Sequence, residues 1–369
     1  MKILSLIIFI ALFFFHPAKL FALGEPNNKF GIHLAVADEK SLKDAADLAN
    51  SSGGDWGYVT LVIQENDFNL DKWQDIFDKM RTLHLIPLIR LAGTPQANGF
   101  WGKPKKEDAE KWAVFLNSLH WVVKNRYIIL FNEPNHNKEW GGEINPKEYG
   151  EIAFAFAKKL KETDDDFFIM LAGFDAAAPN RLPLYENEEI FLKKMFEDNK
   201  DNFNFIDGWT SHSYPNHGFI GLPTDTGRNS IKTYLWELAL LKSLGVDKEL
   251  PVFITETGWP HNQNQSRNFG TKCKNYLSPE KAAENIKIAF EEVWLKDENI
   301  SAVTPFILNY EAAPFDCFSW KIPNSGDFYP QYELAKNIPK IKGEPGQTLE
   351  ETFNFSSEFF FYLPYLLSP

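Results

Sequence analysis

The sequence predicts an α/β fold, a single (β/α)8 TIM barrel, on three observations. Eight short apolar or β-branched runs are each followed by a segment of helical periodicity, and this order continues without a break over most of the chain. The runs are hydrophobic almost throughout instead of alternating, which suits parallel strands covered on both faces. No glycine-rich turn follows the first run, which argues against an open dinucleotide-binding sheet.

Ahead of the barrel, Met1 and Lys2 precede an apolar run from Ile3 to Phe15, the form of a secretory signal peptide over residues 1–23. His16 and Lys19 interrupt the run and leave it short of the roughly 20 apolar residues a membrane span needs, so an uncleaved anchor is the alternative reading. An exported, extracellular or periplasmic protein is expected. The barrel is assigned to residues 24–340, with strands at Phe30 to Ala35, Trp56 to Val62, Ile86 to Leu91, Tyr127 to Phe131, Phe168 to Ala172, Ile206 to Ser211, Val252 to Thr255 and Ala302 to Leu308. Between them, Leu70, Trp73, Phe77, Met80 and Leu83 form one apolar stripe behind the capping residue Asn69. Asn145-Pro146 and Ser278-Pro279 each place a capping side chain before a proline at the first helical position, where its missing N–H is not needed. The helix from Tyr234 to Leu244 stops at Gly245, which tolerates a left-handed conformation. Tryptophans 73, 112, 236 and 294 fall inside helical stripes and are expected in the core. From 341 to 369 the pattern ends in a linker, Gly343-Glu344-Pro345-Gly346, and an aromatic tail of unassigned role.

Composition narrows the partners. The 369-residue chain is 44% hydrophobic, with 33 Phe, 11 Trp and 12 Tyr, which excludes a disordered or fibrous protein. Its formal charge of -12 repels polyanions, so nucleic acid is not expected as a partner. A neutral carbohydrate suits an acidic, aromatic-lined surface, and a monomer is expected. The two cysteines have no zinc-site spacing. Cys273 falls after strand seven and Cys317 after strand eight, neighbouring loops in a barrel, so a Cys273–Cys317 disulfide tying down His261 to Tyr276 is predicted.

Barrel enzymes build their sites at the carboxyl ends of the strands, and two strands end on a glutamate. Strand four runs into Asn132-Glu133-Pro134-Asn135, and strand seven into Glu256-Thr257-Gly258-Trp259-Pro260, placing Glu133 and Glu256 at the rim 123 positions apart. Hydrolysis of a glycosidic bond with retention needs two carboxyl groups about 5 to 5.5 Å apart, one a proton donor and the other a nucleophile. Two neighbouring carboxyls also separate their own proton affinities, which the division of labour requires.

These motifs resemble the retaining glycoside hydrolases of clan A, a superfamily of (β/α)8 enzymes. The resemblance implies that Glu133 is the acid/base, Glu256 the nucleophile and Asn132 the donor to the sugar 2-hydroxyl. It also implies that His212 or Tyr214, in Ser211-His212-Ser213-Tyr214-Pro215 after strand six, orients the nucleophile; a purely structural histidine is the other reading of His212. Asn132-Glu133-Pro134-Asn135 with the strand-six motif is similar to the xylosidase and exopolysaccharide-hydrolase group, whereas Glu256-Thr257-Gly258-Trp259-Pro260 is similar to the β-1,3-glucanase group, and the substrate stays open between them.

Arg90 within strand three and His33 within strand one are unusual for a core. Arg90 is expected to keep Glu256 ionised or to make a structural ion pair, and His33 to meet sugar hydroxyls. Of the loop aromatics Trp101, Trp140, Trp259, Tyr310 and Trp320, the first choices for stacking on sugar are Trp259 and Trp320. No cofactor and no metal are expected, because carboxyl groups suffice for this chemistry. Two other readings are a metal-dependent sugar-isomerase barrel with Glu133, Asp175, His212 and Glu256 as ligands, and a glycan-binding barrel without turnover.

Overall fold

The computed structural model describes residues 26–197, 200–262, 273 and 275–346; the expected signal peptide and the tail 347–369 lie outside the described residues. Strands and helices alternate as β1 (Gly31–His33), α1 (Glu39–Ala49), β2 (Gly57–Gln64), α2 (Leu70–Thr82), β3 (Leu85–Ala92), α3 (Asp108–Asn117), β4 (Arg126–Leu130) and α4 (Pro146–Thr163). They continue as β5 (Phe167–Leu171), α5 (Glu188–Glu197), β6 (Trp209–His212), α6 (Thr233–Ser243), β7 (Val252–Glu256), α7 (Pro279–Ala289), β8 (Ile300–Val303) and α8 (Pro330–Asn337). Every pairing is parallel and between chain neighbours, from β1 to β5 and from β6 to β8. Bridges Met170↔Gly208 and Phe30↔Val303 join the two sheets at both seams, so the eight strands circle a (β/α)8 barrel.

The local signals act as their chemistry demands. Asn69, Asn145 and Ser278 accept hydrogen bonds from the N–H groups of Lys72, Glu148 and Lys281 at 3.1, 3.2 and 3.2 Å. Gly245 has φ +91° just beyond α6. Of the α2 stripe, Trp73, Phe77 and Met80 are buried and Leu70 is exposed. Tryptophans 73, 112 and 294 are core, and Trp236 is half-buried under the Arg228 guanidinium. Inside the barrel, Tyr58, Tyr127, Phe168 and Phe253 from four strands pack edge-on and tilted with ring centroids 5.0 to 6.4 Å apart. This aromatic plug fills the lower interior and leaves the polar chemistry to the strand ends.

Most strand bounds fall within two residues of expectation, and β8, β6 and the expected linker differ more. β8 is Ile300–Val303 and not Ala302 to Leu308, because after Thr304 the backbone leaves the regular ladder: Phe306 N–H donates to Thr257 O in the loop after β7 at 2.9 Å, and Leu308 N–H to His33 O at the end of β1 at 3.0 Å. β6 starts at Trp209 and not Ile206, since Ile206 N–H closes a turn onto Phe203 O. The stretch expected as a linker is tied down: Gly343 N–H donates to Asp55 O, Glu344 N–H to Pro26 O, and Lys124 N–H to Gly346 O, at 2.9 to 3.0 Å. Cys273 and Cys317 form the expected disulfide, which in the chain-entropy account contributes about 4 kcal/mol. Among the described residues no helix is long and apolar enough to cross a membrane.

Behind β6, Glu188 of α5 and Glu237 of α6 are buried side by side, with Trp209 Nε1 donating to Glu237 at 3.0 Å and the two carboxyls placed to share a proton. Burial pushes Glu237 up to about 7, and burial together with the Glu237 charge raises Glu188 well above the ordinary carboxylate range. The folded pair therefore holds protons that the unfolded chain releases, so its contribution to stability is fully present below the ordinary carboxylate range and is lost as pH rises through 7. Thermal melts from pH 5 to 9 are expected to show this decline, and Glu188→Gln to flatten it; equal slopes in the two proteins would refute the shared proton.

Candidate active site

Alternation along the strands aims Arg90 inward, on the same face as Ile86 and Leu88, and the register sets it level with Ile129 near the end of β4. There Arg90 Nη1 donates to Asn132 Oδ1 at 2.7 Å and to Glu256 Oε1 at 2.5 Å, joining the ends of β3, β4 and β7. Tyr214 OH donates to the other Glu256 oxygen at 3.1 Å, so both oxygens are held. Burial raises the proton affinity of Glu256, but the positive charges of His212 and Arg90 outweigh it and bring its pKa down to about 2. Glu256 is thus a fixed carboxylate at any physiological pH. Burial and the Glu256 charge together push the Tyr214 phenol well above its usual range, so it remains a donor.

Glu133 sits differently. Phe131 and Glu133 have φ of +76° and +30°, left-handed values that side-chain-bearing residues avoid and that functional sites can retain when the surroundings impose them. Glu133 N–H donates to Gly173 O at 3.0 Å, and Glu133 Oε1 lies 2.8 Å from His212 Nδ1. Gly173 is required here, since a Cβ would lie 2.2 Å from His212 Cδ2. Burial lowers the proton affinity of His212, but Glu256 and Glu133 raise it further, so it favours the imidazolium form. One oxygen of Glu133, one of Glu256 and a nitrogen of His212 all lie within 4.8 Å of one another.

The three could in principle ligate a metal, but their donor chemistry does not fit one. Arg90 already neutralises Glu256, His212 Nδ1 is committed to Glu133, and Asp175 is committed to His136 at 2.9 Å. A cation would have to displace a guanidinium and compete with an imidazolium.

The cleft above these groups has a volume of about 550 Å3 and is lined by His33, Arg90, Asn132, Glu133, Tyr214 and Glu256 among others, within the usual range for ligand sites of about 300 to 1,000 Å3. His33 is buried, driven down to about 3 by burial and by Arg90, and its Nδ1 has no hydrogen-bond partner among the described residues. His212 is buried and does not line the cleft; it meets the cleft through Glu133, at 2.8 Å.

Trp259 and Trp320, the first choices for sugar stacking, are a correction: neither lines the cleft. Trp259 is buried with its Nε1 donating to Gly221 O at 2.7 Å, and Trp320 belongs to the core. The rings that line the cleft include Trp101, Tyr214, Phe219, Phe306, Tyr310, Phe315 and Phe318, while Trp140 is wholly buried against Phe131 and Tyr149 in its wall. Sequence reasoning also missed His136 and Glu139. Both follow Glu133 within two turns' length of chain, and that proximity was the available signal. Asn132 Nδ2 donates to Glu139 Oε2 at 3.1 Å, and burial with the Glu133 charge pushes Glu139 up to about 7.

No family model matches the sequence, and no curated protein does. Among solved structures, the fold is similar to a monomeric β-xylosidase from Caulobacter crescentus CB15, at 14% identity and TM-score 0.58 over 85% of this chain and 68% of that one. It is also similar to a glucosidase from Croceicoccus marinus, at 13% identity and TM-score 0.56 over 85% and 68%. A triple variant of an endo-β-1,4-glucanase from Xanthomonas axonopodis pv. citri matches at 12% identity and TM-score 0.54 over 85% and 99%. At these identities the likeness establishes the barrel fold.

Proposed function

We propose that this protein is a retaining glycoside hydrolase that cleaves β-glycosidic bonds of an oligosaccharide or polysaccharide. The observation that carries this reading is the approach of Glu133 and Glu256 to within 4.8 Å across the barrel mouth, each held by different partners. Inverting enzymes leave room for a water between carboxyls about 6.5 to 9.5 Å apart, whereas a spacing near 5 Å lets one carboxylate reach the anomeric carbon directly.

In this mechanism Glu256, ionised and aimed by Arg90 and Tyr214, attacks the anomeric carbon as Glu133 protonates the departing oxygen. The bond to the leaving group breaks and a glycosyl ester with Glu256 forms. Glu133, now a carboxylate beside His212, takes a proton from water, which attacks the same carbon and frees Glu256. Asn132, fixed between Arg90 and Glu139 at the cleft, is the donor to the sugar 2-hydroxyl in this reading. Cleft-lining rings such as Trp101, Phe219, Tyr310 and Phe315 supply stacking surface for pyranose rings. The disulfide supports action in an oxidising compartment outside the cytoplasm.

The test is a screen of aryl β-glycosides and β-linked polysaccharides with product anomers followed by proton NMR. The β-anomer is expected to appear first and to mutarotate afterwards. Initial release of the α-anomer, or binding of sugar with no hydrolysis of any substrate, would overturn the reading; the second result would favour a glycan-binding barrel.

A further inference from the structure

Glu133 has a second neighbour that the mechanism does not use. His136 Nε2 lies 2.9 Å from Asp175 Oδ2, and His136 Nδ1 lies 3.7 Å from Glu133 Oε2, the oxygen not engaged by His212. Asp175 is rigidly mounted after β5. Its Oδ1 accepts from Ala177 N–H at 2.8 Å, its own N–H donates to buried Asn135 Oδ1 at 3.3 Å, and Asn135 Nδ2 donates to its carbonyl at 3.0 Å. His136 is equally fixed: its N–H donates to Glu133 O at 2.8 Å, and its ring meets Tyr185 edge-on at 4.8 Å.

Asp175 can only accept, so His136 Nε2 carries a proton. Toward an ionised Glu133 a second N–H at Nδ1 is attracted, whereas toward a protonated Glu133 a bare Nδ1 can accept its O–H. The groups around the ring are Glu133, Lys138 and Glu139 from the loop after β4, Asp175 and Tyr185 from the loop after β5, and His212 from β6 beyond Glu133. Three carboxyls in that set favour the imidazolium. Burial opposes this, but Asp175 and Glu133 outweigh it and push His136 up to about 9.

We propose that His136, oriented by Asp175, is a positioning residue that holds a positive charge against the outer oxygen of Glu133 and so governs its exchange of protons with the leaving group and with water. The role rests on the glycosidase reading. An adjacent cation favours the carboxylate that forms when Glu133 gives up its proton, which helps leaving groups that need protonation and does nothing for those that do not.

Two measurements test it on the full-length protein. In imidazole NMR titrations, His136 is expected to stay charged past pH 8, and both Asp175→Asn and Glu133→Gln to lower its midpoint, the latter by about one pH unit. A midpoint unmoved by Glu133→Gln would overturn the proposal whatever the activity. In kinetics, His136→Gln is expected to lower kcat/KM about tenfold on unactivated glycosides while leaving dinitrophenyl glycosides near wild-type values. Equal losses on both substrates would mark a purely structural residue and overturn it. A wild-type protein that hydrolyses no glycoside, with the His136–Glu133 coupling present in NMR, would overturn the glycosidase reading and the proton-transfer role but not the charge pairing.

Discussion

Glu256→Gln is expected to lower kcat by about 10^4-fold or more with little change in the affinity for intact substrate. The amide keeps the size of the carboxylate and its one oxygen still accepts from Arg90, while its NH2 can only donate toward the Tyr214 hydroxyl, and the oxygen lacks the charge needed to form a bond to the anomeric carbon. The loss therefore falls on the chemical step and not on binding. Glu256→Asp separates charge from reach: the carboxylate and its Arg90 partner persist, yet the oxygen is withdrawn by about one methylene. A misplacement near 1 Å costs on the order of 10^2-fold, so this variant should lie between wild type and Gln. Stopped-flow traces with a dinitrophenyl β-glycoside decide the point. Retention of most of the activity in Glu256→Gln would sink the assignment of Glu256 as nucleophile.

The same residue shows what was readable in advance. Glu256 is legible because it ends an apolar run in a barrel, where strand ends and catalytic groups coincide. Glu133 is legible for the same reason, and Arg90 because a charged side chain within an apolar strand needs a partner. The helix caps are local, two or three residues across, and sequence carries such signals well. What was not legible depends on how loops fold over one another. Trp259 and Trp320 stand in loops by position, yet one is pinned to Gly221 and the other sinks into the core, while Trp101 and Tyr310 turn toward the cleft. No periodicity governs such choices. The end of β8 is misjudged because the apolar run from Thr304 to Leu308 reads as a strand, although Phe306 and Ile307 N–H groups bond Thr257 and Phe318 outside the sheet. Gly173 was passed over because the need for a missing Cβ arises only once His212 packs on it.

Glu133→Ala should show a different signature, one that depends on the leaving group. A general acid contributes about 10^2- to 10^4-fold when the departing oxygen is a poor leaving group, so hydrolysis of oligosaccharides or alkyl glycosides should fall by that amount. A dinitrophenolate leaves without help. On that substrate Glu256 should still be glycosylated quickly, but the ester should then accumulate, because no base activates water, and kcat and KM should fall together. Removing the carboxylate also opens the site to small anions that it would repel. Azide should therefore attack the ester and restore turnover, yielding a β-glycosyl azide by the second inversion at the same carbon. Rescue in Glu133→Ala with a β product, and its absence in Glu256→Gln, would separate the two glutamates by role. An α-azide from Glu256→Ala would assign the nucleophile independently, since a single displacement inverts. Equal losses on dinitrophenyl and alkyl substrates in Glu133→Ala, with no azide product, would mean that Glu133 supports the fold of the rim and transfers no proton. The wild-type contact with His212 Nδ1 at 2.8 Å would then be its whole function.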